Sequence, residues 1–228
     1  MKLAIIPARG GSKRIPRKNI RPFCGKPIIG YSIQAAIQSG IFDRVLVSTD
    51  DEEIAEVARQ YGAEIPFMRP VELANDFAGT TPVIRHAIEQ MREQGATFDA
   101  ACCIYATAPF VKPSDLSRGL EIFQASGAEY AFTVTSFAYP IQRALKILPS
   151  GRVAMRQPEN YAKRSQDLEE AYHDAGQFYW GKPEAFLREV PLLSEHAAPI
   201  LLPRHQVQDI DTLEDWERAE LMYKAWLT

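Results

Sequence analysis

The chain has 228 residues, of which 46% are hydrophobic and 24% are charged. This composition is typical of a soluble globular protein that is long enough to bury one full core. No stretch approaches the roughly 20 apolar residues of a membrane span. The net charge of −3 and the pI of about 5.9 argue against a general nucleic-acid-binding surface.

Strand-like and helix-like segments alternate along the chain, which predicts an α/β fold with a mostly parallel sheet covered by helices on both faces. Strands are expected, in chain order, at residues 3–8, 44–48, 100–106, 130–135, 177–180, 200–202 and 207–210. Helices are expected at residues 31–39, 51–61, from 81 onward, 113–125 and 213–226. Gly40 and Gly62 follow the first two helices, a position that glycine often occupies because it adopts the left-handed conformation.

The alternation stops between residues 139 and about 174, where the sequence is polar, contains proline and has weak periodicity. We interpret residues 140–170 as an excursion from the sheet, such as a lid or a dimer-forming arm, rather than as a second domain. The whole chain, residues 1–228, is therefore expected to form one domain with an inserted arm.

The three cysteines are Cys24, Cys102 and Cys103. An odd number with one adjacent pair is typical of neither a disulfide framework nor a zinc site. The chain begins Met-Lys and enters an apolar strand at once, without the apolar region of a signal peptide. These observations predict a reduced, cytoplasmic location, with Cys102 and Cys103 as small core residues.

A concentrated basic loop follows the first predicted strand. Residues 9–21 contain six basic side chains and no acidic one. Since the whole chain has a net charge of −3, the remainder has a net charge of −9. Gly10 and Gly11 allow the backbone to approach an anion, and lysine and arginine supply charge-assisted hydrogen bonds. The loop matches neither the Walker A nor the Gly-x-Gly-x-x-Gly pattern. It predicts a polyphosphate site of another kind, with a solvated face or a nucleic-acid patch as alternatives.

Asp209 and Asp211 directly precede the last helix. In an extended chain they point the same way, while Ile210 points into the core. Adjacent carboxylates repel each other unless a cation or proton intervenes, and Mg²⁺ is typically held by one or two carboxylates plus substrate phosphates. The pair therefore predicts a metal site. The alternative is that Asp211 or Thr212 caps the helix and Asp209 is solvated.

Three further segments carry polar groups at the ends of predicted elements. Asp50, with Glu53, fits a helix N-cap better than a ligand contact. The loop 69–76 and the following residues 79–81 offer hydroxyls and amides to a base or sugar, or simply cap a helix. Gln177 offers both donor and acceptor groups. No serine or cysteine lies in a nucleophile-elbow context, so covalent catalysis is not expected.

Taken together, the chain resembles the cytidylyltransferases that activate sialic-acid-like sugars. The resemblance rests on residues 7–19, 69–76, 107–109 and 209–211, in the order and spacing of that family, and covers nearly the whole chain. Residues 13–16, 102–109 and 173–180 are most similar to the subgroup that acts on pseudaminic acid. Sialic acid synthetases usually have Gln-Pro-Thr-Ser-Pro at 105–109 and Asn-Gly-Ala at 175–177. The departures at these two sugar-contacting segments argue against N-acetylneuraminic acid.

The resemblance implies a Rossmann-like fold of the nucleotide-diphospho-sugar transferase type and a homodimer in which the arm covers the partner's site. It implies that CTP and pseudaminic acid give CMP-pseudaminic acid and pyrophosphate, for flagellin or other surface glycosylation in a bacterium. Mg²⁺ is the implied cofactor, and Mn²⁺ is a possible substitute. Legionaminic acid, N-acetylneuraminic acid or Kdo is the alternative sugar. Neither a nucleic acid nor a membrane is an expected partner.

The resemblance also implies roles for individual residues. Arg9 and Lys18 are the implied catalytic residues, which hold the triphosphate and stabilise the leaving pyrophosphate. The implied nucleotide-binding residues are Ala8, Arg9, Gly10, Ser12, Lys13, Lys18, Asn19, Arg69 and Thr80. The implied sugar-binding residues are Tyr105, Gln177, Tyr179 and, from the arm, Arg164. Asp209 and Asp211 are the implied metal ligands.

Two other classes of protein compete with this interpretation. A nicotinamide-dependent reductase is opposed by the missing Gly-x-Gly-x-x-Gly motif and by the paired carboxylates. A non-catalytic nucleotide sensor would bind CTP without releasing pyrophosphate.

Overall fold

A six-stranded sheet runs through the centre of the protein, whose computed structural model describes residues 1–75 and 79–226. The strands of the protein are β1 (Lys2–Pro7), β2 (Pro22–Phe23), β3 (Lys26–Pro27), β4 (Arg44–Ser48), β5 (Ala100–Ile104), β6 (Tyr130–Ser136), β7 (Leu145–Ile147), β8 (Val153–Met155), β9 (Tyr172–Gly181) and β10 (Ala197–Leu201). The central sheet has the order β10-β6-β9-β5-β1-β4, and only β9 is antiparallel to its neighbours. The predicted α/β fold with a mostly parallel sheet is confirmed.

Helices cover both faces of this sheet. They are α1 (Ile29–Ser39), α2 (Glu52–Gln60), α3 (Thr80–Glu93), α4 (Pro113–Ser126), α5 (Pro183–Leu187) and α6 (Leu213–Trp226). Alternate residues of the central strands enter opposite cores: Cys102 packs with α1, α2 and α4, whereas Cys103 packs with α3 and α5. Both thiols are fully buried and unpaired, as predicted. Burial on both faces explains why these strands are continuous apolar runs.

A third core joins the last helix to the end of the basic loop. Phe23 and Trp216 contact each other edge to face, with ring centroids 5.5 Å apart. The guanidinium of Arg21 lies 5.2 Å from the Trp216 ring centroid, within cation–π range. Helix α6 therefore anchors the loop that follows β1.

Between β6 and β9 the chain leaves the sheet, as predicted. Strands β7 and β8 form a separate antiparallel pair, and the rest of this segment consists of turns and irregular backbone with three short 3₁₀ helices. Large apolar side chains on this arm are exposed, including Tyr139 at 84%, Ile147 at 80% and Tyr161 at 81%. Among the described residues, no helix is both long enough and apolar enough to cross a bilayer.

Most element boundaries agree with the sequence prediction to within one or two residues, and Gly40 ends α1 with φ 64°. Several predictions were wrong or incomplete: β9 begins at Tyr172 rather than at residue 177, and the short strands β2, β3, β7 and β8 were not predicted. Residues 207–210 form no strand, because they pair with no neighbouring strand. Asp51, not Asp50, caps α2 by accepting a hydrogen bond from the Ile54 N–H. The short helix α5 was not predicted.

Candidate active site

A cleft of about 340 Å³ opens at the carboxyl ends of β1 and β5. Its walls come from the basic loop, the start of α3, the residues after β5 and the segment before α6. The lining residues are Pro7, Arg9, Ser12, Lys13, Arg14, Ile15, Lys18, Asn19, Arg69, Gly79, Thr80, Val83, Tyr105, Ala106, Thr107 and Asp211. Ligands of α/β proteins generally bind at this end of the sheet.

The six basic residues of the loop lie in two environments: at the cleft, or against other parts of the fold. Four of its six basic residues line the cleft. Of the other two, Arg17 pairs with Asp51 and Glu53 near the start of α2, and Arg21 lies over Trp216. The cleft therefore carries a strong positive field, as a polyphosphate site requires.

Lys18 connects the loop to the segment before α6. Its ammonium group donates to the Ile210 carbonyl at 2.7 Å and lies 3.6 Å from Oδ1 of Asp211. Burial lowers the pKa of Lys18, and the charges of Asp211 and Asp209 oppose that effect. Arg14 donates to the same Asp211 oxygen at 2.8 Å. Arg14 was not among the predicted site residues, although its position in the basic loop was a sufficient signal.

The carboxylate pair is asymmetric. Asp211 lines the cleft beside two cations, whereas Asp209 lies outside the lining and near Gly176. Although Asp209 is partly exposed, desolvation of its carboxyl group by surrounding protein atoms and the charge of Asp211 raise its pKa. Ile210 between them is fully buried, as predicted.

Thr212, not Asp211, forms the cap of α6. The Asp215 N–H donates to Thr212 Oγ1 at 3.2 Å, and the Asp215 carboxylate accepts from the Thr212 N–H at 2.8 Å. This reciprocal pair is a capping box with aspartate in the place of the usual glutamate. The cap therefore does not depend on the side chains of Asp209 and Asp211.

The two carboxylates fit a hard divalent cation. Both offer oxygen ligands, Asp211 lies beside the cations of the cleft, and Asp209 carries an unfavourable charge that a cation would stabilise. In the described part of the chain, His, Cys, Asp and Glu residues form no metal-binding group of three or more. A cation held here would take its remaining ligands from substrate and water, as Mg²⁺ commonly does.

Residues expected to contact the nucleotide differ in exposure. Asn19 and Thr80 line the cleft, and the Asn19 side chain donates to the Arg9 carbonyl at 2.9 Å. Arg69 also reaches the cleft, but only 5% of it is exposed, and its guanidinium donates to the hydroxyl and carbonyl of Ser48. Burial lowers the pKa of Arg69 to about 10. Arg69 therefore contributes to the structure as well as to the cleft wall.

Two expected nucleotide residues do not line the cleft. Ala8 is buried, and its N–H donates to the Ser48 carbonyl. The Gly10 N–H donates to Asp50 Oδ1 at 3.1 Å and so points to a carboxylate. Asp76, part of the motif on which the resemblance rests, lies outside the described residues.

The expected sugar-binding residues are not all at the cleft. Tyr105 lines it, with its hydroxyl 3.4 Å from Thr80 Oγ1. Tyr179 and Gln177 do not line the cleft and are buried in β9. The ring of Tyr179 packs against that of Tyr105, with centroids 5.2 Å apart. Arg164 lies on the arm and pairs with a neighbouring residue of the arm.

The hydrogen-bond partners of Tyr179 and Gln177 were not predicted from the sequence. The Tyr179 hydroxyl donates to the carboxylate of Asp174, 2.7 and 2.8 Å from its two oxygens. Gln177 Nε2 donates to the Gln206 carbonyl at 2.6 Å, while Oε1 is buried with no hydrogen-bond partner among the described residues. Asp174 lies in the segment 173–180 that supports the resemblance but was not singled out, and no sequence signal marked Gln206, because both act through tertiary contacts.

Comparison with known proteins agrees with this geometry. The family model for cytidylyltransferases matches residues 3–224. A pseudaminic acid cytidylyltransferase of Campylobacter jejuni is 50% identical over 98% of this chain and 96% of its own length. A CMP-N,N'-diacetyllegionaminic acid synthase of Legionella pneumophila is 33% identical over 96% of this chain and 94% of its own length.

Among solved structures, a CMP-2-keto-3-deoxy-manno-octonic acid synthetase complexed with CTP superposes with a TM-score of 0.71. The alignment covers 98% of each chain at 17% identity, so this likeness concerns the fold. The family match extends over nearly the whole chain and includes the basic loop and Asp211, which line the cleft. The chain belongs to the cytidylyltransferase family.

Proposed function

We propose that this protein couples CTP to pseudaminic acid to give CMP-pseudaminic acid and pyrophosphate. The observation that carries the proposal is the convergence of four loop cations and Asp211 on one cleft. The 50% identity to a pseudaminic acid cytidylyltransferase supports this sugar. The product would serve flagellin or other surface glycosylation.

The reaction is a displacement at the α-phosphate of CTP. The anomeric hydroxyl attacks phosphorus in line, the new P–O bond forms as the bond to the β-phosphate oxygen breaks, and the hydroxyl proton is released. No sugar C–O bond breaks, so the anomeric configuration is retained. Arg9 and Lys18 neutralise the charge that develops on pyrophosphate, and the loop holds the triphosphate in line.

Asp209 and Asp211 would hold Mg²⁺ in this site. When bound, the ion supplies Lewis-acid chemistry that lowers the pKa of a coordinated hydroxyl and polarises phosphorus. Lys18, 3.6 Å from Asp211, keeps the carboxylate beside the triphosphate-binding loop.

Turnover with a panel of nucleotides and sugars tests the proposal. CTP, ATP, GTP and UTP would each be combined with pseudaminic, legionaminic and N-acetylneuraminic acids and Kdo, and pyrophosphate would be measured beside product mass. We expect CTP with pseudaminic acid to give the highest kcat/KM. A preference for another acid sugar would support the alternative substrate, which the 33% identity to a legionaminic acid enzyme keeps open. Equal turnover of all four nucleotides, or CTP binding without pyrophosphate release, would contradict the proposed function.

We also propose that the protein is a cytoplasmic homodimer in which the arm reaches the partner's cleft. The exposed apolar side chains of the arm and the position of Arg164 on it support this assembly. The test mixes two inactive variants, Lys18→Ala and Arg164→Ala, under conditions that exchange subunits. Recovered activity is expected, since a mixed dimer has one intact site. A monomeric mass in solution would contradict the proposal. The three unpaired thiols support the cytoplasmic location.

A further inference from the structure

The basic loop contacts the segment that opens α2 at two positions, Gly10 and Arg17. At its start, the Gly10 N–H donates to Asp50 Oδ1 at 3.1 Å. Farther along, the Arg17 guanidinium donates to the two carboxylate oxygens of Asp51, at 2.5 and 3.0 Å, and also to Glu53. We call Asp50, Asp51 and Glu53 the acidic clamp.

The start of the loop also packs directly against the clamp. A Cβ atom at Gly10 would lie 2.6 Å from Oδ2 of Asp51, so any side chain at residue 10 would displace either the loop backbone or the Asp51 carboxylate. Asp51 is itself fixed, because its carboxylate caps α2 by accepting from the Ile54 N–H at 3.0 Å. The Asp51 carboxylate, at the cap of α2, therefore packs against the loop at Gly10 and pairs with it at Arg17. The Arg17 guanidinium holds the pKa of Asp51 below its usual range.

The backbone at Arg17 has an unusual conformation. Its φ of 55° lies in the left-handed region, which is unfavourable for an arginine and persists only where surrounding contacts hold it. The Arg17 carbonyl accepts from the N–H groups of Ile20 and Arg21, at 3.0 and 2.9 Å. These bonds close a tight turn that begins at Lys18 and directs its side chain toward Ile210.

We propose that Arg17, held by the acidic clamp, is a positioning residue that orders the basic loop so that its cations converge on the triphosphate of CTP. Arg17 does not itself line the cleft. The identity of the ligand rests on the proposed function, whereas the ordering of the loop does not.

The test uses variants that remove the ion pair and spare the backbone. Arg17→Asn removes the guanidinium but keeps a residue that tolerates the left-handed conformation. Asp51→Asn removes the charge but keeps a good helix cap. Arg44→Gln is the matched control: Arg44 pairs with Glu64 at similar side-chain exposure, 32% against 39% for Arg17, but at the opposite end of β4 from the loop.

Two measurements separate the ordering of the loop from catalysis. Hydrogen exchange of the amides at residues 11–20 reports how ordered the loop is. KM for CTP and KM for the sugar report whether that order affects the binding of each substrate. Arg17→Asn and Asp51→Asn should each raise exchange by about tenfold, the size expected from losing a contacting charged pair. Each should also raise KM for CTP by about tenfold while leaving KM for the sugar unchanged. Because Arg17→Asn already removes the pairs with both Asp51 and Glu53, the double variant should be no worse than Arg17→Asn alone, and Arg44→Gln should match the wild type.

Unchanged loop exchange in Arg17→Asn would overturn the proposal. Raised exchange with an unchanged KM for CTP would also overturn it, because the clamp would then order the loop without positioning its cations. If the wild-type protein released no pyrophosphate with any sugar, the proposed function would fail. The clamp would then be judged by exchange and by the affinity for inorganic triphosphate, which should fall about tenfold in Arg17→Asn.

Discussion

Lys18 and Asp211 meet at one end of the cleft, with Nζ 3.6 Å from Oδ1, although one follows the first strand and the other precedes the last helix. The ammonium group also donates to the carbonyl of the intervening Ile210. Because a single side chain contacts both segments, a change in the loop also alters the environment of the carboxylates. Substitutions at the cleft therefore need readouts that separate catalysis, stability and cation binding.

Arg9→Ala and Lys18→Ala should each lower kcat by roughly 10²-fold, because each removes a cation that stabilises charge on the leaving pyrophosphate. Steady-state kinetics with CTP would measure the loss, and Arg59→Ala on the exposed side of α2 is the control for a simple change of charge. Near-normal turnover in either cleft variant would show that the triphosphate lies elsewhere.

Arg69→Ala should behave differently from Arg9→Ala, although both residues line the cleft. The buried Arg69 guanidinium satisfies the hydroxyl and carbonyl of Ser48, so its loss should lower the free energy of unfolding by roughly 3 kcal/mol. The expected decrease in Tm is on the order of 10 °C. Arg9→Ala should leave Tm nearly unchanged. Equal melting temperatures for the two variants would contradict a structural role for Arg69.

Tyr105→Phe should affect sugar binding more than Tyr179→Phe. The Tyr105 hydroxyl faces the cleft, whereas the Tyr179 hydroxyl is buried against Asp174. Loss of one neutral hydrogen bond to the substrate should raise KM for the sugar by up to about tenfold in Tyr105→Phe. Initial rates at saturating CTP would measure it. A rise in KM for CTP instead would assign Tyr105 to the nucleotide.

The sequence predicted the sheet well because its strands are buried on both faces and their apolar runs need no tertiary information. Cys102 and Cys103 illustrate this, since each enters one of the two cores. The basic loop was also evident from charge alone. Which of its basic residues line the cleft was not evident, because Arg17 pairs instead with Asp51 and Glu53 at the start of α2, which are distant in sequence.

Errors arose where long-range contacts decide a side chain's environment. Asp50 and Asp51 are equally good caps by sequence, and Asp50 is instead used by the Gly10 N–H. The burial of Gln177 in β9, where its side-chain amide donates to the Gln206 carbonyl, was likewise not evident from the sequence, and the sugar-binding role that the resemblance implies for it stays a prediction. Contact with another segment of the fold determined each outcome.

Asp209→Asn should stabilise the cation-free protein at neutral pH, whereas Asp211→Asn should not. The pKa of Asp209 is raised in the folded state, so the folded protein binds this proton more readily than the unfolded chain. The ionised carboxylate therefore costs stability above the ordinary aspartate pKa of about 3.9, and the cost grows as pH rises through the folded pKa. Asp211 differs because it pairs with Arg14 and Lys18, so Asp211→Asn would weaken two favourable contacts.

Thermal melts in EDTA at pH 4 and pH 7 would measure this difference. The stabilisation by Asp209→Asn should be present at pH 7 and shrink as the pH is lowered to 4, because the raised pKa makes the folded wild-type protein take up this proton more readily than the unfolded chain. Both variants should also bind Mn²⁺ more weakly, measured by calorimetry with CTP present, and lose turnover by orders of magnitude at ordinary Mg²⁺ concentrations. Full activity with unchanged Mn²⁺ affinity in both variants would remove the metal site from the proposed mechanism. If the Asp209→Asn variant had a lower Tm than the wild type in EDTA at pH 7, the negative charge of Asp209 would already be compensated by other groups in the folded protein.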